Sequence, residues 1–237
     1  MSKSLKTMLF GTMCLVGASM VVQPLGARDS EAQRVAKSTE VLSDLVKTPD
    51  DSIPEHILDR AEAIVVIPTL VKGGFVVGGE RGKGIMSVRR TEGRRWSPPS
   101  FVTITGGSFG WQIGLQSVDL VLLVMNRDGI DDLLKSEFKL GVNGSVAAGP
   151  VGRTAQAATD ARMAAKILAY SRAKGLFAGA TIEGASLRDD RDANERFYGK
   201  PLSSEAIFAG GLSGGLPSVV TSWRDTLERA AAPARSQ

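Results

Sequence analysis

Between Ala63 and Met125 the chain runs through a series of short β-branched and aromatic stretches, each closed by glycine, proline or charge. Ile64-Val65-Val66-Ile67 ends at Pro68, and Phe75-Val76-Val77 precedes Gly78-Gly79. Ile85-Met86-Ser87-Val88 runs into Arg89-Arg90, and Phe101-Val102-Thr103-Ile104 into Gly106-Gly107. Trp111 to Leu115 and Leu120 to Met125 follow. Stretches of this length and punctuation read as strands at hairpin spacing. The pattern does not fit alternating β-α-β units. Glycine is common (27 residues) while aromatics are only 5%, which points to many tight turns and bulges. The predicted fold is α+β: a single domain with a twisted antiparallel sheet, or a partly closed barrel of short strands, flanked by helices.

Helices are predicted on either side of the strands. Ser30 to Thr48 is amphipathic, with Val35, Leu42, Leu45 and Val46 on one face, and Pro49 stops it. Ser52-Ile53-Pro54-Glu55 has the form of a helix start, giving a short helix from Glu55 to about Glu62. Asp128 to Ser136, Leu187 to Tyr198 and Ser218 to Ala231 complete the set, the last closing the chain. Gly141 to Gly152 reads as extended. Met163 to Tyr170 is assigned as strand, because Lys174-Gly175 marks a turn into a further strand, Leu176 to Glu183. No linker or repeat divides the chain, and 43% hydrophobic with 23% charged residues is ordinary globular composition.

The N-terminus reads as a separate object. Lys3 and Lys6 precede an uncharged apolar run, Met8 to Val22; Pro24 follows, and then the small-residue site Leu25-Gly26-Ala27. This is the layout of a secretory signal peptide. The run is shorter than the roughly 20 residues of a spanning helix. Residues 1–27 are therefore expected to be a leader and 28–237 the domain, with its core at about 35–215 and its closing helix at about 218–231. The expected location is extracytoplasmic or periplasmic, peripherally bound to a membrane. Cys14, the single cysteine, sits inside the apolar run, so the mature chain is expected to lack thiol chemistry. Loss of two lysines lowers the formal net charge from +4 to +2, weak support for a polyanion, and no nucleic-acid partner is expected.

Motifs that could carry catalysis are weak. Gly106-Gly107-Ser108-Phe109-Gly110 and Gly211-Leu212-Ser213-Gly214-Gly215 both match G-x-S-x-G. A serine nucleophile normally needs a histidine base, and the one histidine, His56, stands upstream of both. The bland reading is two glycine-rich turns, with His56 on the surface of its helix. Asp190-Arg191-Asp192-Ala193-Asn194 opens like a calcium loop but continues with Glu195 in place of the required glycine, so a solvated helix face is expected. Gly78 to Gly84 misses the phosphate-loop spacing and reads as a hairpin turn. No catalytic residue, metal site or cofactor is predicted.

The basic residues carry the functional expectation. Lys72, Arg81, Lys83, Arg89, Arg90, Arg94 and Arg95 lie close together, with Glu80 and Glu92 the only acids in the same stretch. Alternate residues of a strand share a face, so a hairpin can gather several of these charges. Arg172 and Lys174 form a smaller cluster at a predicted turn. Such patches attract anionic headgroups at about 1 kcal/mol per basic residue. The competing reading is a solvated face that protects sheet edges. Trp96, beside Pro98-Pro99, is either an interfacial anchor or a packed loop aromatic.

Several stretches resemble the SYLF domain family. Ile53-Pro54-Glu55-His56-Ile57-Leu58, Ala63 to Pro68, Lys72-Gly73-Gly74-Phe75 and Trp96 to Phe101 match its opening. Sharper are Ala148-Gly149-Pro150-Val151-Gly152-Arg153, Tyr170 to Gly179, Glu183-Gly184 and Asn194-Glu195-Arg196-Phe197-Tyr198-Gly199. The resemblance implies a non-catalytic, phosphoinositide-binding-like domain, since eukaryotic relatives bind phosphoinositides and some bundle actin. Bacterial relatives are mostly exported single-domain proteins. The leader, and a sequence showing no SH3 or FYVE module, move the expected ligand to anionic phospholipid such as phosphatidylglycerol or cardiolipin. The alternative is a structural or protein-interaction module with an envelope protein as partner. The resemblance transfers no lipid-binding residue; the nine cations are a reading of charge.

Overall fold

β1 (Ala63–Gly74) is apolar on both faces, and that places it at the centre of the molecule. Ile64 and Val66 point into one hydrophobic core, while Ala63, Val65 and Ile67 point into a second. β4 (Gly114–Val124) and β7 (Ile167–Ala173) do the same, with Val121, Leu123, Leu168 and Tyr170 on the first side and Leu120, Leu122, Ile167 and Ala169 on the second. Unbroken apolar runs are what a sheet covered on both faces requires. The computed structural model describes residues 25–47, 53–74, 77–91, 95–109, 114–135, 138–141, 145–151, 165–180, 182, 184–212 and 214–231.

The remaining strands are β2 (Val77–Val88), β3 (Ser100–Phe109), β5 (Phe138–Lys139), β6 (Val146–Ala148), β8 (Leu176–Gly179) and β9 (Ala185–Asp189). The nine form one sheet in the order β5-β9-β3-β2-β1-β4-β7-β6, with β8 also paired to β7. The pairings are antiparallel except β6 with β7, so the sheet is mixed, and it curls into a half-barrel. Six helices flank it among the described residues: α1 (Leu25–Lys47), α2 (Glu55–Arg60), α3 (Arg127–Leu134), α4 (Arg191–Tyr198), α5 (Ser204–Phe208) and α6 (Ser218–Ala230). α1, α2, α4 and α6 cover the first core through residues such as Leu42, Ile57, Phe197 and Trp223, and α3 and α5 cover the second through Ile130, Leu133, Ile207 and Phe208. The α+β class and the helix-flanked, partly closed sheet match the sequence expectation.

Several local expectations change. β1 does not stop at Pro68 but continues to Gly74 through a β-bulge. Ile67 faces Leu120 and Leu70 faces Val118, so β1 carries one extra residue there. Thr69 takes φ 68, and its N–H donates to Asp119 Oδ1 at 3.0 Å. A proline is tolerated at a bulge because the ladder is already interrupted. Gly78 to Gly84 is not a turn but the body of β2. A Cβ at Gly84 would collide with the Val66 carbonyl, and one at Gly82 would lie 2.5 Å from Ile67 Cγ2. These glycines let the bulged strand press close. Gly106 to Phe109 likewise lies in β3.

Leu187 does not begin a helix; Ala185–Asp189 is a strand, and Asp190 caps α4 by accepting from Ala193 N. Asn194 is fully buried, accepts from Phe101 N at 2.8 Å and donates to Asp189 Oδ1 at 2.9 Å. The acidic motif there is a helix cap joined to an internal hydrogen-bond hub. The strand assignment holds from Ile167 onward, and Lys174 (φ 50) with Gly175 (φ 84) makes the expected tight turn. Residues 1–24 of the expected leader, Glu92, Arg94, Ser213 and residues 75–76, 110–113 and 152–164 lie outside the described residues. α1 begins at Leu25, three residues before the expected domain start. No helix among the described residues is long and apolar enough to cross a membrane.

Candidate anion-binding surface

The bulge in β1 shapes a groove of about 450 Å3 against α1, lined by Ser30, Gln33, Arg34, Lys37, Pro68, Thr69, Arg81, Gly82 and Lys83. Arg34 and Lys37 are one helical turn apart and so share a face of α1. Arg81 and Lys83 alternate on β2 and share a face of the sheet. Four cations therefore converge from two elements. Arg34 belongs to a network: it lies 3.8 Å from both Glu31 and Asp190 and 5.3 Å over the Phe101 ring. Its Nη1 is buried without a hydrogen bond. Lys83 is 3.8 Å from Asp190, and Arg196 closes the circuit on Glu31 at 2.8 Å. Glu31 is only 1% exposed. Burial pushes its carboxyl up, but hydrogen bonds from Ser30 and Arg196 and the charges of Arg196 and Arg34 outweigh it and hold the group below its ordinary value. Among the described residues neither Lys37 nor Arg81 has an ion-pair partner, and both are exposed.

The other expected residues do not form one patch. Lys72 is paired with Glu80 across the β1–β2 ladder at 3.2 Å. Arg89 turns inward: it is 5% exposed, donates to Ala61 O at 3.0 Å and Leu58 O at 3.3 Å, and stacks 4.6 Å from the Trp96 ring. It holds α2 against the end of β2. Trp96, 1% exposed, is a packed aromatic and not an interfacial anchor. Arg172 bridges Asp119 and Asp44 and lies over Phe177, tying β7, β4 and α1 together. Burial lowers the Arg172 guanidinium pKa, and the two carboxylates reverse this and raise it. Lys174 is exposed on its turn. Arg90 and Arg95 leave the strand for a second cleft of about 320 Å3, which they line with Arg224 of α6 and the loop around Gly210 and Gly214.

Arg34, Lys37 and Arg224 were not singled out in the sequence. The first two carried a usable signal, a basic i,i+3 pair on the polar side of an amphipathic helix. Arg224 carried none, because only the packing of α6 brings it to β2. His56 is exposed on α2, as expected. Ser108 is a β3 residue opposite Gly78. Among the described residues no group of three or more His, Cys, Asp or Glu could hold a metal.

The architecture is a mixed half-barrel with helices on both faces and cations gathered at two surface depressions. Residues 105–230 match a family model described as "Ysc84: Las17-binding protein actin regulator". The chain is 37% identical over 191 residues to LAS seventeen-binding protein 3 of Saccharomyces cerevisiae, covering 76% of this chain and 40% of that protein. It is 32% identical over 184 residues to the human SH3 domain-containing YSC84-like protein 1, covering 76% of this chain and 53% of that protein. The chain belongs to the Ysc84, or SYLF-domain, family. It spans about half or less of the length of these relatives.

Proposed function

We propose that this domain is a non-catalytic module that binds anionic phospholipid at an extracytoplasmic membrane surface through the groove between α1 and the β1 bulge. The observation that carries the reading is the convergence of Arg34, Lys37, Arg81 and Lys83 there, with Lys37 and Arg81 unpaired among the described residues. The acids nearby are committed to Arg34, Lys83 and Arg196, so they fix the groove's shape without cancelling the other two charges. The extracytoplasmic location rests on the leader-like sequence of residues 1–27. α1 does not lie on the membrane by its apolar face, because Val35, Leu42 and Leu45 are buried in the first core.

The test is vesicle co-sedimentation, with neutral phosphatidylcholine vesicles against vesicles containing phosphatidylglycerol or cardiolipin, at low and raised salt. The expected result is pelleting with anionic vesicles only, weakened by salt. Lys37→Gln with Arg81→Gln lowers the apparent affinity roughly thirtyfold at low salt. Equal pelleting of wild type and double variant removes the groove as the contact.

A second reading follows from the family match itself, whose description names actin regulation and Las17 binding. On that reading the domain binds a protein surface. Co-sedimentation with lipid-free actin filaments separates it from lipid binding.

A further inference from the structure

The second cleft differs in kind from the groove. Arg90, Arg95 and Arg224 line it together with Pro98, Gly210, Leu212, Gly214 and Leu216, and no carboxylate is among the described lining residues. Two of the arginines are aimed by the main chain. Arg90 Nε donates to Phe208 O at 3.3 Å, and Arg224 Nε donates to Trp96 O at 2.9 Å. Each is held through Nε, which leaves its two Nη groups without a protein hydrogen bond among the described residues. Arg90 N also donates to Arg95 O at 2.9 Å, closing the hairpin so that both side chains spring from one frame. None of the three arginines has an ion-pair partner among the described residues. On the far wall Gly210 has φ 96, and a Cβ there would stand 2.6 Å from Arg90 Nη2. The bare backbone lets the Arg90 guanidinium pack against that wall.

Three converging guanidinium groups without a carboxylate make a poor environment for a cation and a good one for a compact polyanion. Guanidinium forks match the oxygens of phosphate in pairs. We propose that this cleft binds a phosphate dianion, the charge state of a phosphomonoester at neutral pH. A volume of about 320 Å3 suits a small phosphorylated group. The phosphate comes either from a soluble phosphomonoester or from a lipid headgroup ending in one. The proposal does not rest on the groove. Lys83 and Arg90 are seven residues apart along an extended strand, about 23 Å.

The test is calorimetric titration of the protein with inorganic phosphate and with sulfate at constant ionic strength. Both anions bind near neutral pH. Phosphate weakens as the pH falls to about 5 and it becomes a monoanion, and sulfate does not. Arg95→Gln, which removes a side chain holding nothing else in place, lowers phosphate affinity about tenfold with an unchanged melting temperature. Arg224→Lys keeps the charge, loses the fork and weakens phosphate as well. Lys37→Gln with Arg81→Gln titrates like wild type. Vesicles carrying phosphatidate, a monoester, against phosphatidylglycerol, a diester, then assign the source. A phosphatidate preference lost in Arg95→Gln places the site on a lipid headgroup. Phosphate binding without that preference assigns a soluble phosphomonoester. No saturable heat with several millimolar phosphate, or a stably folded Arg95→Gln that titrates like wild type, overturns the proposal.

Discussion

The two depressions use the same residue types and treat them oppositely. Beside the groove, Arg34, Lys83 and Arg196 are tied to Glu31 and Asp190, and α1, β2 and α4 are joined through those ties. In the arginine cleft Arg90 and Arg224 are aimed by carbonyl oxygens and have no counter-charge among the described residues. A carbonyl orients a guanidinium without neutralising it, whereas a carboxylate does both. Counting basic residues therefore does not locate a binding surface. The partner of each cation decides whether it holds the fold together or remains available.

This comparison can be broken at its structural end first. Glu31→Leu removes one of the two carboxylates beside the half-buried Arg34 and the one that Arg196 donates to, and the expected loss is about 3 kcal/mol, read as a fall in the urea midpoint. Arg89→Ala removes two hydrogen bonds and a cation–π contact from a buried position, and about 2 kcal/mol is expected to be lost. Arg89→Lys recovers only part of it, since an ammonium cannot reproduce the fork. If vesicle binding fell in Arg89→Ala while the melting temperature held, Arg89 would belong with the ligand-facing cations after all.

Acid should sharpen the same contrast. The folded-state pKa of Glu31 lies below its ordinary value, so its contribution is full above the ordinary carboxylate range and fades as pH falls through the folded value. Wild type is expected to lose stability on acidification below about pH 4, and Glu31→Gln to show a shallower pH slope from a lower starting point. The smallest effects belong to the available cations. Lys37→Gln, Arg81→Gln and Arg95→Gln should each change stability by less than about 0.5 kcal/mol while altering anion binding. A larger loss in thermal denaturation would show that one of them is part of the scaffold.

Much of the fold could be read from the chain. Runs such as Ile64 to Ile67 and Leu120 to Met125 announced strands because β-branched and aliphatic residues fit a pleated, buried surface. The closing helix was legible from the spacing of Val220, Trp223 and Leu227. Glycine misled where it is needed for close approach and not for turning: Gly82 and Gly84 lie beneath the bulge, a long-range contact with no local signature. The helix expected from Leu187 was a strand at its start because pairing with β3 overrides the polar composition of residues 185–189. For the surface, Arg81, Lys83, Arg90 and Arg95 were visible as charge. Which of their neighbours would be buried, as Arg89 is, depended on the packing of α2.

The order in which the pieces meet has a consequence for the timing of folding. β3 cannot receive its outer neighbour until β9 exists, so Thr103 waits for Arg188. The first core stays incompletely covered until α6 delivers Trp223, whose indole N–H donates to Ser87 Oγ at 2.8 Å. Contacts so far apart in sequence are slow to form, and here they join early strands to elements near residues 188 and 223. At ordinary synthesis rates α6 emerges roughly ten to forty-five seconds after the start, and until then the sheet face above the first core lacks that helix. A polypeptide with this arrangement completes its core only when its last helix is released.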